Sequence, residues 1–189
     1  IYPTETLYGI GAVCNSDDAL KKVFEVKNRE ISKPIPLIAS TMDMVRRYTA
    51  RITDTAIKLA DEFWPGPLTM VFEASSDVND FITGGKGTVG FRIPSCKICT
   101  ELAERLGEPL TATSANISGS EGCRSIREID SDLQKNVSLI LDGGTTGSST
   151  PSTILSLVSD PPVLIRQGLI GISSIESVLG YSISKSNTV

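Results

Sequence analysis

The sequence predicts an α/β protein of the mixed (α+β) kind, a twisted mixed sheet of about seven strands with helices packed on it. Three observations lead there. Strand-like and helix-like segments interleave along the chain. Several neighbouring strand candidates are joined by connections too short for a crossover helix, so some pairs must run antiparallel. The composition of the 189 residues, 40% apolar and 21% charged, is that of an ordinary globular protein that builds its core without staples. One domain is expected over residues 1–180, and residues 181–189 read as a frayed tail.

The elements follow in order. Residues 1–3 end a strand, so structure is expected upstream of Ile1; the polar turn 4–9 (TETLYG) leads into an apolar segment at 10–14. Ser16 or Asp17 caps a helix carrying Leu20, Val23, Phe24 and Lys27 at helical spacing. A proline-bounded strand at 34–39 precedes a short helix from Thr41. Thr53 starts a third helix, with Ala56, Ile57, Ala60, Phe63 and Trp64 inward, stopped by Pro65-Gly66-Pro67. Strands follow at 68–74 and 88–94, separated by a polar segment. Ser95 caps a helix to Leu106, which Gly107 ends. An apolar lead-in at Pro109 and Leu110 then runs into TATSANISG. A helix at 125–134 and a buried strand at 138–142 come next. Strands at 152–158 and 163–166 join across Asp160-Pro161-Pro162, and a last helix spans 173–179.

Absences narrow the chemistry. There is no histidine, which removes Ser-His-Asp and Cys-His catalysis and HExxH metal sites. Gly85-Lys86 lacks the following Ser or Thr and the leading Gly of a phosphate loop, and 143–147 lacks the G-x-G-x-x-G order. No run of about 18 apolar residues is present, so no membrane span is expected. A net charge of -4 argues against a protein that coats nucleic acid. Four cysteines without an export signal suit a reducing cytoplasm. Cys96 and Cys99 form a C-x-x-C without the second pair a zinc site needs; they read either as a redox pair at a helix start or as chance spacing on a buried face.

Polar clusters fall where strands end, which is where open sheets bind ligands. Lys27, Arg29 and Lys33 form a dense donor set for phosphate or carboxylate, or else a solvated helix end complementing its dipole. Arg92 lies inside an otherwise apolar strand and shares a face with Gly90 and Pro94. It must find a partner, either an internal acid such as Glu5 or a ligand carboxylate. Arg166 poses the same question at the end of its strand. Ser114 and Asn116 offer small hydrogen-bonding groups, as a ligand site or as a plain turn.

Nine motifs, in order from residue 3 to about 171, resemble the YrdC-like family of L-threonylcarbamoyladenylate synthases in its short form. They are PTETLYG at 3–9, Lys27-x-Arg29, Lys33-Pro34, WPGPLT at 64–69, VGFRIP at 89–94 and TSANISG at 113–119, followed by Asp142-Gly143-Gly144, Ser152-Thr153-Ile154 and Arg166-Gln167-Gly168. Departures stand at Glu30, near Ile38 and at Glu121-Gly122, where relatives carry Pro, His and Pro-Ser.

The resemblance implies a three-layer mixed sheet around a central basic cavity. It implies a nucleotidyltransferase that joins L-threonine, bicarbonate and ATP, with Mg2+, into threonylcarbamoyl-AMP and pyrophosphate for tRNA modification. By position, Thr6, Arg92 and Ser152 would hold threonine, and Lys27, Arg29, Lys33, Thr88, Ser114, Asn116 and Arg166 would line the ATP. Lys27, Arg29, Ser114 and Asn116 would act at the reacting phosphate, with no metal ligand assigned. tRNA, or the transferase that modifies it, would be the downstream partner. Two rivals are an RNA-binding protein using the same cavity, distinguished by steep salt dependence, and a paralogue adenylating another carbamate.

Overall fold

The computed structural model describes residues 1–186. Helix starts follow the capping residues. Ser16, Thr41 and Thr53 are extended and accept the N–H of Ala19, Met44 and Ala56, opening α1 (Asp17–Lys27), α2 (Met42–Arg47) and α3 (Asp54–Phe63). A seven-stranded mixed sheet forms the frame, in the order β5 (Leu110–Thr111), β2 (Leu37–Ile38), β4 (Thr88–Arg92), β3 (Leu68–Glu73), β7 (Thr153–Ser156), β8 (Val163–Arg166), β9 (Ser184–Lys185). The β4–β3 and β7–β8 pairs are antiparallel, whereas β2–β4 and β3–β7 are parallel. A separate two-stranded ribbon pairs β1 (Gly9–Ile10) with β6 (Thr113–Ser114).

Helices α4 (Asp80–Thr83), α5 (Lys97–Leu106), α6 (Ser131–Lys135) and α7 (Ile172–Leu179) complete the fold. The core centres on Leu37, Leu68, Met70, Phe91 and Leu155 from the sheet, with Leu20, Leu59 and Ile175 from helices; all are fully buried. None of the helices among the described residues is long and apolar enough to cross a membrane.

Several expectations are corrected. The inner face of α3 uses Ala56, Leu59 and Ala60, while Ile57 is exposed. The polar segment after β3 contains the one-turn α4, which Asn79 caps by accepting the Phe81 N–H. Cys96, not Ser95, is the N-cap of α5. The helix expected at 125–134 splits into a 3-10 turn at Ile126–Glu128 and α6, because Asp130 stops the first and caps the second. Residues 138–142 are not a buried strand: Leu139 is exposed, and the segment is held beside the N-terminus by the Leu141 N–H to Ile1 O and the Ile1 amine to Leu139 O. Ser184 and Lys185 pair with β8 rather than fraying; residues 187–189 of the expected tail lie outside the described residues.

Candidate active site

The sheet register explains why residues far apart in sequence meet. Ile38 pairs with Arg92, Thr69 with Ile154, and Ile154 with Arg166, a row of contacts that runs across the strand ends. The ribbon adds the other wall, since Gly9 pairs with Ser114 and the Ala115 N–H donates to Tyr8 O. Asn28 at the C-cap of α1 is left-handed, which turns the chain sharply and sends Arg29 toward the same place. Between these walls lies a cavity of about 440 Å³. Arg29, Arg92 and Arg166 line it, with Thr6, Ser114, Asn116 and Ser152.

The three guanidiniums are held in different ways. Arg92 is buried and paired with Glu5, Nη1 to Oε1 at 2.9 Å, so the internal acid is its partner. The second Glu5 oxygen is buried without a hydrogen-bond donor. Arg166 donates from Nη2 and Nε to Ser152 O at 2.8 and 3.2 Å, and from Nη2 to Ser152 Oγ at 3.3 Å. Arg29 donates from Nη2 to Pro34 O at 2.8 Å. Burial draws the Arg29 and Arg166 guanidiniums below their ordinary range, and the charge of Arg92 adds to the effect on Arg166. Three like charges gathered with one internal acid leave positive charge for an anionic guest.

Lys27 lies behind the cavity wall rather than in it. It is 1% exposed, and its ammonium donates to Ser114 O, to Asn116 O at 2.6 Å and to Asn116 Oδ1 at 3.2 Å. Burial first, and the charge of Arg29 second, lower its pKa to about 8. The Asn116 side chain closes the same network, accepting from Ser114 Oγ and donating to Ser120 O. The SANIS loop is thus organised from within by Lys27 and Asn116, and Ser114 and Asn116 face the cavity as a result.

Lys27 was expected to line the ATP and does not line the cavity, and two more expected residues also stand apart. Lys33 is exposed and paired with Glu30 at 3.0 Å, and Thr88 begins β4 at the end opposite Arg92; neither lines the cavity. Of the departures from the family pattern, Ile38 is fully buried outside the cavity, whereas Gly122 lines it. Sequence reasoning missed Thr4 and Thr69. Thr4 Oγ1 lies 3.0 Å from Thr6 Oγ1, and Thr69 Oγ1 3.0 Å from Ser152 Oγ. Strand alternation would have found Thr69, which shares a face with Gly90: a Cβ built on that glycine would sit 3.5 Å from Thr69 Cγ2.

Gly168 sets the position of Ser152. A Cβ there would lie 2.3–2.5 Å from Pro151 O, Ser152 C and Thr153 N, all backbone atoms. No flexible side chain can yield, so Gly168→Ala must displace residues 151–153. A loss of about 1–3 kcal/mol is expected, read as a lower urea midpoint with unchanged slope.

The Sua5/YciO/YrdC family model, described as telomere recombination, matches residues 1–168. The chain is 38% identical over 179 residues to threonylcarbamoyl-AMP synthase of Pyrococcus abyssi, covering 95% of this chain and 53% of that protein. It is 36% identical over 180 residues to the synthase of Bacillus subtilis, covering 95% and 52%. It therefore spans about half the length of these curated relatives. A crystal structure of P. abyssi Sua5 complexed with L-threonine matches with a TM-score of 0.93 at 37% identity, covering 97% of this chain and 54% of that one.

Proposed function

The chain belongs to the Sua5/YciO/YrdC family, and we propose that it is a threonylcarbamoyl-AMP synthase acting on L-threonine, bicarbonate and ATP. The observation that carries this reading is the single cavity onto which three arginines and a set of small hydroxyls converge without any histidine. Thr6, Arg92 and Ser152 take the amino acid, with the arginine facing its carboxylate. Arg29, Ser114, Asn116 and Arg166 take the nucleotide phosphates, and Lys27 holds the loop that presents them. Lys33 and Thr88 stay outside this assignment because they lie outside the cavity.

In the proposed reaction the threonine amine captures CO2 derived from bicarbonate. A carbamate oxygen then attacks the α-phosphorus, and pyrophosphate leaves as the bond to the β-phosphate breaks. Charge stabilisation and alignment are the main demands of such a transfer, and guanidiniums supply both. Among the described residues no three His, Cys, Asp or Glu side chains converge as a metal cage. A magnesium ion would arrive on the nucleotide phosphates and would supply charge neutralisation there. The product would pass to tRNA modification in the cytoplasm.

The test is pyrophosphate release that requires both L-threonine and bicarbonate; release indifferent to threonine overturns the reading. Ser114→Ala removes a cavity hydroxyl without touching the Lys27 ammonium. It is expected to lower threonine-dependent turnover by about tenfold or more with an unchanged circular dichroism spectrum.

A further inference from the structure

The C-x-x-C at the start of α5 is chemistry that the proposed function does not use. We propose that Cys96 and Cys99 are a redox-active dithiol, oxidised to a disulfide by a small-molecule disulfide such as glutathione disulfide, and that this oxidation loosens the turn at residues 4–7. The geometry carries the proposal. The Cys99 N–H donates to Cys96 O at 3.0 Å, and three residues along a helical turn place the Cα atoms about 5 Å apart. A disulfide spans about 4.4–6.8 Å between Cα atoms. Both sulfurs also approach one carbonyl, Pro3 O, at 3.5 Å from Cys96 and 3.1 Å from Cys99, and the Cys99 hydrogen lies between that oxygen and Cys96 Sγ. Neither sulfur is committed to a bridge in this structure.

Their environments divide the work between an attacking and a resolving thiol. Cys96 is half-buried between the exposed Ser95 and Lys97, while Cys99 is fully buried. The hydrogen bond from Cys99 is the main influence drawing the Cys96 thiol down to about 6, against the opposing effect of burial; the Cys99 and Ile98 N–H groups assist. Its bond to Cys96 and its burial push Cys99 up. Burial raises the other two thiols, Cys14 and Cys123, which are inert by comparison.

The reaction balances with the named oxidant. The Cys96 thiolate attacks one sulfur of glutathione disulfide, and one glutathione thiolate leaves. Cys96 is then neutral, which removes the largest influence holding the Cys99 proton. Cys99 gives that proton to solvent and attacks Cys96 Sγ, expelling the second glutathione. Two electrons pass from the dithiol to the oxidant. The bridged sulfurs carry no hydrogen, so Pro3 O loses the one thiol donor it has in the reduced protein, Cys99. Pro3 leads directly into the turn that Thr4 closes through its Oγ1 to Leu7 O at 2.7 Å, and this turn carries Thr6 to the cavity and Glu5 to Arg92.

The experiment equilibrates the whole chain in glutathione buffers from fully reduced to fully oxidised, then alkylates it under denaturing conditions and weighs it. Four alkyl groups are expected in the reduced buffer and two in the oxidised one, with the loss mapped to Cys96 and Cys99. Four groups in every buffer, or glutathione retained on Cys96, overturns the dithiol. Amide hydrogen exchange at residues 4–7 is expected to quicken by roughly threefold to tenfold on oxidation. Unchanged exchange in the bridged protein overturns the coupling. Cys96→Ser keeps a donor for Pro3 O and is expected to hold the reduced exchange rates in every buffer, as is Cys99→Ser. Mass and exchange do not depend on the synthase reading. The accompanying rise in KM for threonine, at unchanged kcat, does rest on it, so the two can fail separately.

Discussion

Lys27→Met is expected to lower threonine- and ATP-dependent pyrophosphate release by about a hundredfold or more while leaving the protein folded. The ammonium is the common donor to Ser114 O, Asn116 O and Asn116 Oδ1. Methionine fills similar volume but satisfies none of them. Stranded acceptors cost about 1–3 kcal/mol, which a stability of about 5–15 kcal/mol accommodates. The larger loss is positional, because the loop bearing Ser114 and Asn116 is no longer fixed against the phosphates, and a single misplaced donor is worth about 10²–10³ in rate.

The depressed Lys27 pKa adds a second signature. The folded value, about 8 against an ordinary 10.5, means that between those pH values the folded state binds fewer protons than the unfolded one. Through that window Lys27 makes stability rise with pH, while below about 8 the penalty for burying its charge is present in full. Activity should move the other way, falling through one ionisation near pH 8 as the donor network loses its charge. The residual activity of Lys27→Met should lack that step. An identical step in both proteins would mean that another group sets the pH profile.

Lys27 also shows what the sequence made legible. Its place in the series Leu20, Val23, Phe24, Lys27 puts it on the buried stripe of α1. Helical periodicity carried its inward direction, yet the resemblance set Lys27 beside the ATP with Arg29, and only Arg29 lines the cavity. Arg92 was readable as a charge inside an apolar strand and Arg166 as one at a strand end, and the sheet register brings them to one side. Lys33 and Thr88 carry the right chemistry, but side-chain type does not reveal which way a loop residue turns or which end of a strand faces the cavity. Capping by Thr41 and Thr53 was legible because each is a local event, and that by Ser16 was legible to within one residue. The segment 138–142 looked like a strand from its apolar residues, yet its backbone partner is the N-terminal residue 138 positions away, a long-range fact that no local pattern encodes. Asn79 and Asp130 were overlooked because the helices they open are only four and five residues long, too short for any periodic signal.

Arg92→Met is expected to do two kinds of damage that a second substitution can separate. Arg92 is the single ion-pair partner of Glu5 among the described residues, at 2.9 Å with both side chains largely buried. Glu5 Oε2 already lacks a donor. Removing the guanidinium strands a buried carboxylate, at a cost of about 3–5 kcal/mol, visible as a lower urea midpoint. It also removes the charge proposed to meet the threonine carboxylate, so KM for threonine should rise by about a hundredfold, in line with the roughly 2–5 kcal/mol lost on truncating a buried charge pair. Glu5→Gln combined with Arg92→Met leaves no unpaired charge, and most of the stability should return. Threonine use should not. If the double variant recovered both, Arg92 would be a structural counter-ion to Glu5 and nothing more; if it recovered only the midpoint, the guanidinium faces the ligand as well as the acid.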